Sequence, residues 1–269
     1  MPELPEVEYE RRRLQRAMAG ARIDDVILRR ANLRYEFPHD FKRRLEGQTV
    51  PAVLRRAKYL LVELGSGDVL VMHLGMSGSF RVSRHVTPLD VHDHVVFELS
   101  NGASVIFNDP RRFGFMTLLA PGELDAHATL GRLGPEPLAR MFDVGALARE
   151  LRRRKTSLKI TLLDQRVIAG LGNIYVVEAL HRARLSPKRR ASTLVTATGE
   201  PRPGLHELVA AIREVLRTAI RNQYRTGSKD PFLVYDHEGE RCPRRGCAGT
   251  IKKIVQGGRS TFYCPVCQS

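Results

Sequence analysis

No apolar run in the chain approaches the roughly eighteen residues that cross a bilayer, and no secretory leader precedes its first periodic segment. The expectation is a soluble cytoplasmic protein with no membrane partner. Cysteine is absent until Cys242, and all four cysteines fall between there and Cys267. That excludes a disulfide framework spread through a secreted fold. Acidic residues are in deficit, 29 Asp and Glu against 44 Lys and Arg, which leaves a net charge of +15. Such a chain attracts polyanions, and among them nucleic acid fits best. There is no internal repeat and no low-complexity tract. The 269 residues suffice for one large domain or two ordinary ones.

What is present begins with a helical pattern. Leu4, Val7, Leu14 and Met18 recur at helical spacing, and Gly20 is a natural stop. Short strands are expected at 23–28, 49–54, 59–64, 69–73, 95–99, 105–108 and 115–119, with hairpin turns at Gly65-Ser66-Gly67 and Asn101-Gly102. Many short strands at close spacing point to a sandwich or barrel. From 121 to 142, Gly122, Gly131, Gly134, Pro135 and Pro137 interrupt any period, and this stretch is expected to be a linker. Helical periodicity returns at 144–153, 158–163, 174–183 and 205–220.

Gly170-Leu171-Gly172-Asn173 lies between two of those helices, so the backbone there can turn tightly and offer a helix N-terminus to a phosphate. No third glycine and no preceding strand complete a dinucleotide fingerprint, which excludes a Rossmann reading. The cysteines carry the stronger signal. Cys242 and Cys247, then Cys264 and Cys267, form two close pairs sixteen residues apart. That spacing suits a four-thiolate zinc site, with two disulfides the weaker alternative inside a cell. Between the pairs, 251–255 and 260–263 flank Gln256-Gly257-Gly258 as strand, turn and strand. A segment so small has no core of its own, and zinc would hold it.

The first residues admit two readings. Pro2 and Pro5 can simply lead into a helix whose dipole Glu3 and Glu6 complement. Alternatively, removal of Met1 leaves a secondary amine beside the Glu3 carboxylate. An α-amino group titrates near pH 8, so a useful fraction is nucleophilic at physiological pH and can attack an anomeric carbon to form an iminium.

Five separated motifs favour the second reading. Met1-Pro2-Glu3-Leu4-Pro5-Glu6-Val7-Glu8, His73-Leu74-Gly75-Met76-Ser77-Gly78, Asn108-Asp109-Pro110-Arg111-Arg112-Phe113-Gly114, Gly170-Leu171-Gly172-Asn173-Ile174-Tyr175 and the four-cysteine unit together resemble the formamidopyrimidine-DNA glycosylase family. The resemblance implies an α+β chain. A β-sandwich flanked by helices would occupy 1–120, a linker 121–142, a helix-two-turns-helix DNA-binding domain 143–234 and a zinc-bound β-hairpin 235–269. It implies a bacterial, nucleoid-associated monomer that acts on double-stranded DNA containing oxidised purines or abasic sites, with one structural zinc.

By the same resemblance Pro2 is the nucleophile and Glu3 its acid, while Lys58 and Arg259 complete the catalytic set. Met76, Arg111 and Phe113 fill the gap left by an extruded nucleotide, and His73, His92, Arg154 and Asn173 contact DNA. The first cysteine pair departs from the family's usual spacing, with four residues between the thiols in place of two. The segment 224–233 is shorter than the family's lid over the extruded base. Two alternatives stay open: a related glycosylase of the Nei type for oxidised pyrimidines, and a non-enzymatic DNA-binding protein built on the zinc hairpin.

Overall fold

The apolar positions of the first segment form a helix, α1 (Leu4–Met18), in the computed structural model of the chain, which describes residues 2–85, 88–222 and 232–269. Glu3 caps this helix in a reciprocal box with Glu6, the Glu3 backbone N–H donating to the Glu6 carboxylate at 2.8 Å. Leu4, Val7, Leu14 and Met18 are fully buried on one face. The chain divides into two units, Met1–Arg132 and Leu133–Ser269.

Among the described residues of the first unit eight strands make two four-stranded antiparallel sheets. One has the order β1 (Ile23–Leu28), β6 (Asp93–Leu99), β7 (Ser104–Asn108), β5 (Ser79–Ser83). The other runs β2 (Val53–Arg56), β3 (Tyr59–Glu63), β4 (Val69–His73), β8 (Phe115–Leu119). Phe80, Phe97 and Phe107 from the first sheet meet Leu60, Leu70, Met72 and Met116 from the second in one core. This is a sandwich, with α1 packed on β2 and β5 and the short α2 (Phe41–Leu45) on β1. The strand expected at 49–54 begins at Val53 instead, because Pro51 has no N–H to give a ladder and Thr49 makes only an isolated bridge to Arg22. Strand β5 had no sequence signal beyond Phe80 and Val82, since two inward residues do not make a period.

Residues 121–142 contain α3 (Glu123–Ala126), a 3₁₀ turn at Leu130–Arg132 and a fully buried Phe142. Among the described residues of the second unit four helices follow, α4 (Val144–Leu151), α5 (Leu158–Leu163), α6 (Asn173–Arg182) and α7 (Pro203–Asn222). A hairpin of β9 (Lys252–Gln256) and β10 (Arg259–Tyr263) ends the chain, with β10 packed on α6. The shortened segment expected at 224–233 lies outside the described residues except for Phe232 and Leu233. Among the described residues no helix is long and apolar enough to cross a membrane.

Candidate active site and metal centre

At the N-terminus of α1, Pro2 is half-buried and Glu3 is 1% exposed. The same helix grips the β2–β3 hairpin through Glu8, which accepts from Arg11, Arg12 and Arg55. Burial pushes the Glu8 carboxyl up, but hydrogen bonds from Arg11 and Arg12 outweigh it and leave it below its ordinary value. Arg55 in turn donates to the carbonyl of Ala57 at 2.9 Å. Ala57 turns the hairpin at φ 54°, a left-handed conformation that is costly for alanine, and the next residue is the buried Lys58. One helix thus positions Pro2, Glu3 and, through Arg55, the turn that carries Lys58.

His73 ends β4, stacked on Phe115 with ring centroids 5.5 Å apart. Burial, then the positive charges of Lys58 and Arg34, push its imidazole down to about 4, so it is neutral at physiological pH. The Gly75 N–H donates to Nδ1 at 3.0 Å, which places the ring proton on Nε2 as a hydrogen-bond donor. Beyond His73 opens a cleft of about 630 Å³ lined by Asn32, Leu33, Arg34, Met76, Arg111 and Phe113. Met76 and Phe113 are 40% and 41% exposed, and the Arg111 guanidinium lies 4.9 Å from the Phe113 ring centroid. His92 is not among the residues that line this cleft, and its N–H is bound to Asp90 and its carbonyl to Asp109.

In the second unit the polar groups converge on Ser260. Gly172 caps α6, and Asn173, its first residue, donates from Nδ2 to the Ser260 carbonyl at 2.9 Å. Arg259 stands beside it at the exposed end of the hairpin, after Gly257 and Gly258 in left-handed conformations. A Cβ on Gly257 would come within 2.6 Å of Ile160 Cδ1, so the glycine lets the hairpin tip rest on α5. Arg154, expected at the DNA, is ion-paired with Asp164 at 3.1 Å and with Glu150 at 3.6 Å.

The four cysteine sulfurs lie within 4.8 Å of one another. Cys242 and Cys267 Sγ are 3.8 Å apart, and Cys247 and Cys264 Sγ 3.6 Å. A tetrahedron with Zn–S bonds of about 2.3 Å has edges of about 3.8 Å. These distances fit one zinc ion and are far from a disulfide's roughly 2 Å. Burial pushes the Cys242 thiol up to about 12, an obstacle that a divalent cation overcomes by binding the thiolate. His181 Nε2 sits 3.4 Å from Cys242 Sγ, as a partner just outside the ligand set. Four thiolates leave no open position, so the zinc is structural and supplies no chemistry to a substrate.

Two side chains at this site had no sequence signal. Lys159 is fully buried in α5, donating from Nζ to Thr261 Oγ1 at 2.7 Å and to the Ser260 carbonyl at 3.3 Å. Burial, then the charge of Arg259, lower it to about 8. Glu178 in α6 accepts three backbone N–H groups, from Leu233, Val234 and Tyr235, each at 2.9 Å. Burial outweighs those bonds and raises its carboxyl above the ordinary value. Neither residue belongs to a spaced motif, because each acts through a partner far along the chain.

Comparison with known proteins agrees with this arrangement along the whole chain. The family model described as the formamidopyrimidine-DNA glycosylase N-terminal domain matches residues 1–116, that of its H2TH domain residues 133–230, and a zinc finger found in FPG and IleRS residues 239–269. A formamidopyrimidine-DNA glycosylase of Rhodopseudomonas palustris (strain BisB18) is 56% identical, with 100% of each chain covered. That alignment spans 292 positions against 269 residues here, so the relative carries insertions. The Lactococcus lactis enzyme bound non-covalently to DNA with an AP site is similar at a TM-score of 0.89 and 32% identity, covering 100% of both chains. MutM in complex with DNA containing carbocyclic 8-oxo-G gives 0.88 and 33%, again over 100% of both. The chain, a zinc-finger DNA glycosylase of DNA repair, belongs to the formamidopyrimidine-DNA glycosylase family.

Proposed function

We propose that this protein excises oxidised purines, formamidopyrimidines and 8-oxoguanine, and then cuts the strand at the abasic site through an iminium on Pro2. The observation that carries the reading is the α1 terminus, where Pro2 adjoins a carboxylate that is 1% exposed and one helix also holds the Lys58 turn. After loss of Met1 the Pro2 nitrogen attacks C1′, the N-glycosidic bond breaks, and the base leaves with its electron pair and a proton. Glu3, having taken the proton that the Pro2 nitrogen sheds on attack, passes it to the ring oxygen as the C1′–O bond opens, leaving the iminium. That cation acidifies the C2′ proton, whose loss expels the 3′ phosphate, and a second elimination expels the 5′ phosphate.

Lys58 and the Nε2–H of His73 hold phosphates in the first unit, and Arg259, Asn173 and Arg154 do so in the second. Arg154 reaches DNA only by exchanging its Asp164 and Glu150 partners for phosphate. Met76, Arg111 and Phe113 replace the extruded nucleotide, which accounts for two large apolar side chains left in water. The main chain of His92 is already engaged, so its ring is what contacts DNA.

The short segment at 224–233 is a reduced lid. It makes 8-oxoguanine recognition, rather than abasic-site chemistry, the weak step. The test is a panel of duplexes carrying 8-oxoguanine, a formamidopyrimidine, an oxidised pyrimidine or an abasic site. Excision of the purine lesions with phosphate at both ends of the gap supports the reading, and preference for the pyrimidine refutes it.

A further inference from the structure

Two loops bear the exposed Met76, Arg111 and Phe113, 74–78 between β4 and β5 and 109–114 between β7 and β8. Loops that hold a methionine and a phenylalanine in water would gain by folding them inward. Something must prevent that. Asp109 is fully buried, and among the described residues no ion pair reaches it. Its carboxylate is instead divided between the loops: Oδ1 accepts from Ser77 Oγ at 2.5 Å, and Oδ2 accepts from the Gly114 N–H at 2.8 Å. Ser77 Oγ, its proton committed to Asp109, accepts the Arg111 N–H at 3.2 Å. The Asp109 backbone is pinned as well, its carbonyl accepting from His94 Nε2 at 3.0 Å. The loops also touch directly, since a Cβ on Gly75 would lie 2.3 Å from the Phe113 carbonyl carbon.

We propose that Asp109, acting through Ser77, is a positioning residue that locks the two loops into one rigid wedge, so that Met76, Arg111 and Phe113 enter the duplex together. This rests on the reading of those three side chains as the groups that replace the extruded nucleotide. A buried carboxylate suits the task because each oxygen takes a donor from a different loop, whereas asparagine offers one acceptor and would either oppose the Gly114 N–H or force the Ser77 hydroxyl from donor to acceptor. A wedge assembled in advance pays its ordering entropy on folding and not at each encounter with DNA.

The test compares two substrates of the full chain. One is a duplex with a fluorescent base beside the lesion, which reports displacement of the nucleotide in stopped flow. The other is a single strand with a preformed abasic site, where no partner base needs replacing, read by borohydride trapping. Ser77→Ala and Asp109→Asn are expected to slow the duplex signal by about tenfold or more while single-strand trapping stays within about twofold. Their double variant should be little worse than either, and Ser77→Thr, which keeps the hydroxyl, should recover the signal.

Unchanged duplex kinetics in both single variants, with Met76→Ala slow, would overturn the clamp and leave the wedge standing. Loss of both activities in equal measure would overturn it too, since that is the mark of general unfolding. If Met76→Ala and Phe113→Ala are themselves silent, the wedge reading fails, and the clamp with it.

Discussion

The sandwich and the terminal hairpin solve the same problem with opposite means. The sandwich buries Phe80, Phe97, Phe107 and aliphatic residues from two sheets in a continuous core, so its stability is spread over many contacts. The hairpin β9–β10 has two strands of five residues, with Val255 71% exposed, and cannot bury enough to fold alone. Four thiolates, a small apolar cluster of Ile251 and Phe262 with Val177 and Val234, and a few long-range polar tethers hold it: Lys159 to Thr261, Asn173 to Ser260, and Gln256 to Ser157 and Pro187. A region held by many weak contacts degrades gradually. One held by a metal and buried hydrogen bonds fails at single points.

The largest break in that comparison is removal of zinc. Chelation or Cys264→Ala forfeits a binding energy on the order of 10 kcal/mol, so the hairpin should unfold and DNA binding vanish. The sandwich should keep its far-ultraviolet strand signal. Zinc-free protein that still binds an abasic-analogue duplex would show that the hairpin needs no metal.

Next in size is Lys159→Ala, which removes a buried donor and leaves a cavity beneath β10. A loss of about 2–4 kcal/mol is expected in urea unfolding of the second unit, with weaker DNA binding through a displaced Arg259. Unaltered stability would mean that the tether is not a support.

The sandwich has its own weak point, and it is set by pH. His73 is held down to about 4 by burial and by neighbouring cations, against about 6.5 when unfolded. Between those values the unfolded chain binds the extra proton, so stability falls as pH drops from about 6.5 to 4, by roughly 2–3 kcal/mol. His73→Gln should flatten that slope. A slope unchanged by the substitution would place its origin elsewhere.

The smallest change concerns the proposed lid. Grafting a full-length segment at 224–233 should raise 8-oxoguanine excision far more than abasic-site cleavage. Equal changes in both would show that the segment does not limit base recognition.

Much of this was legible in the chain because it is written in local patterns. Short apolar runs located β3, β4, β7 and β8, the glycine turns marked the β3–β4 and β6–β7 hairpins, and the cysteine pairs specified the metal. What escaped is held by partners distant in sequence. Asp109 is one residue in a loop until Ser77 is seen against it, and Lys159 reads as one more surface cation until Thr261, 102 residues away, is found at its Nζ. Ala57 gave no warning either, since only the fold reveals its left-handed backbone.

The proposed mechanism puts the chemistry at the amine of Pro2 and the grip on DNA elsewhere. N-terminal acetylation of the processed protein isolates that amine, because an amide nitrogen cannot attack C1′. Borohydride trapping on an abasic-site duplex should then disappear, while affinity for a non-cleavable analogue of the same duplex stays unchanged. Full covalent trapping by the acetylated protein would contradict the account.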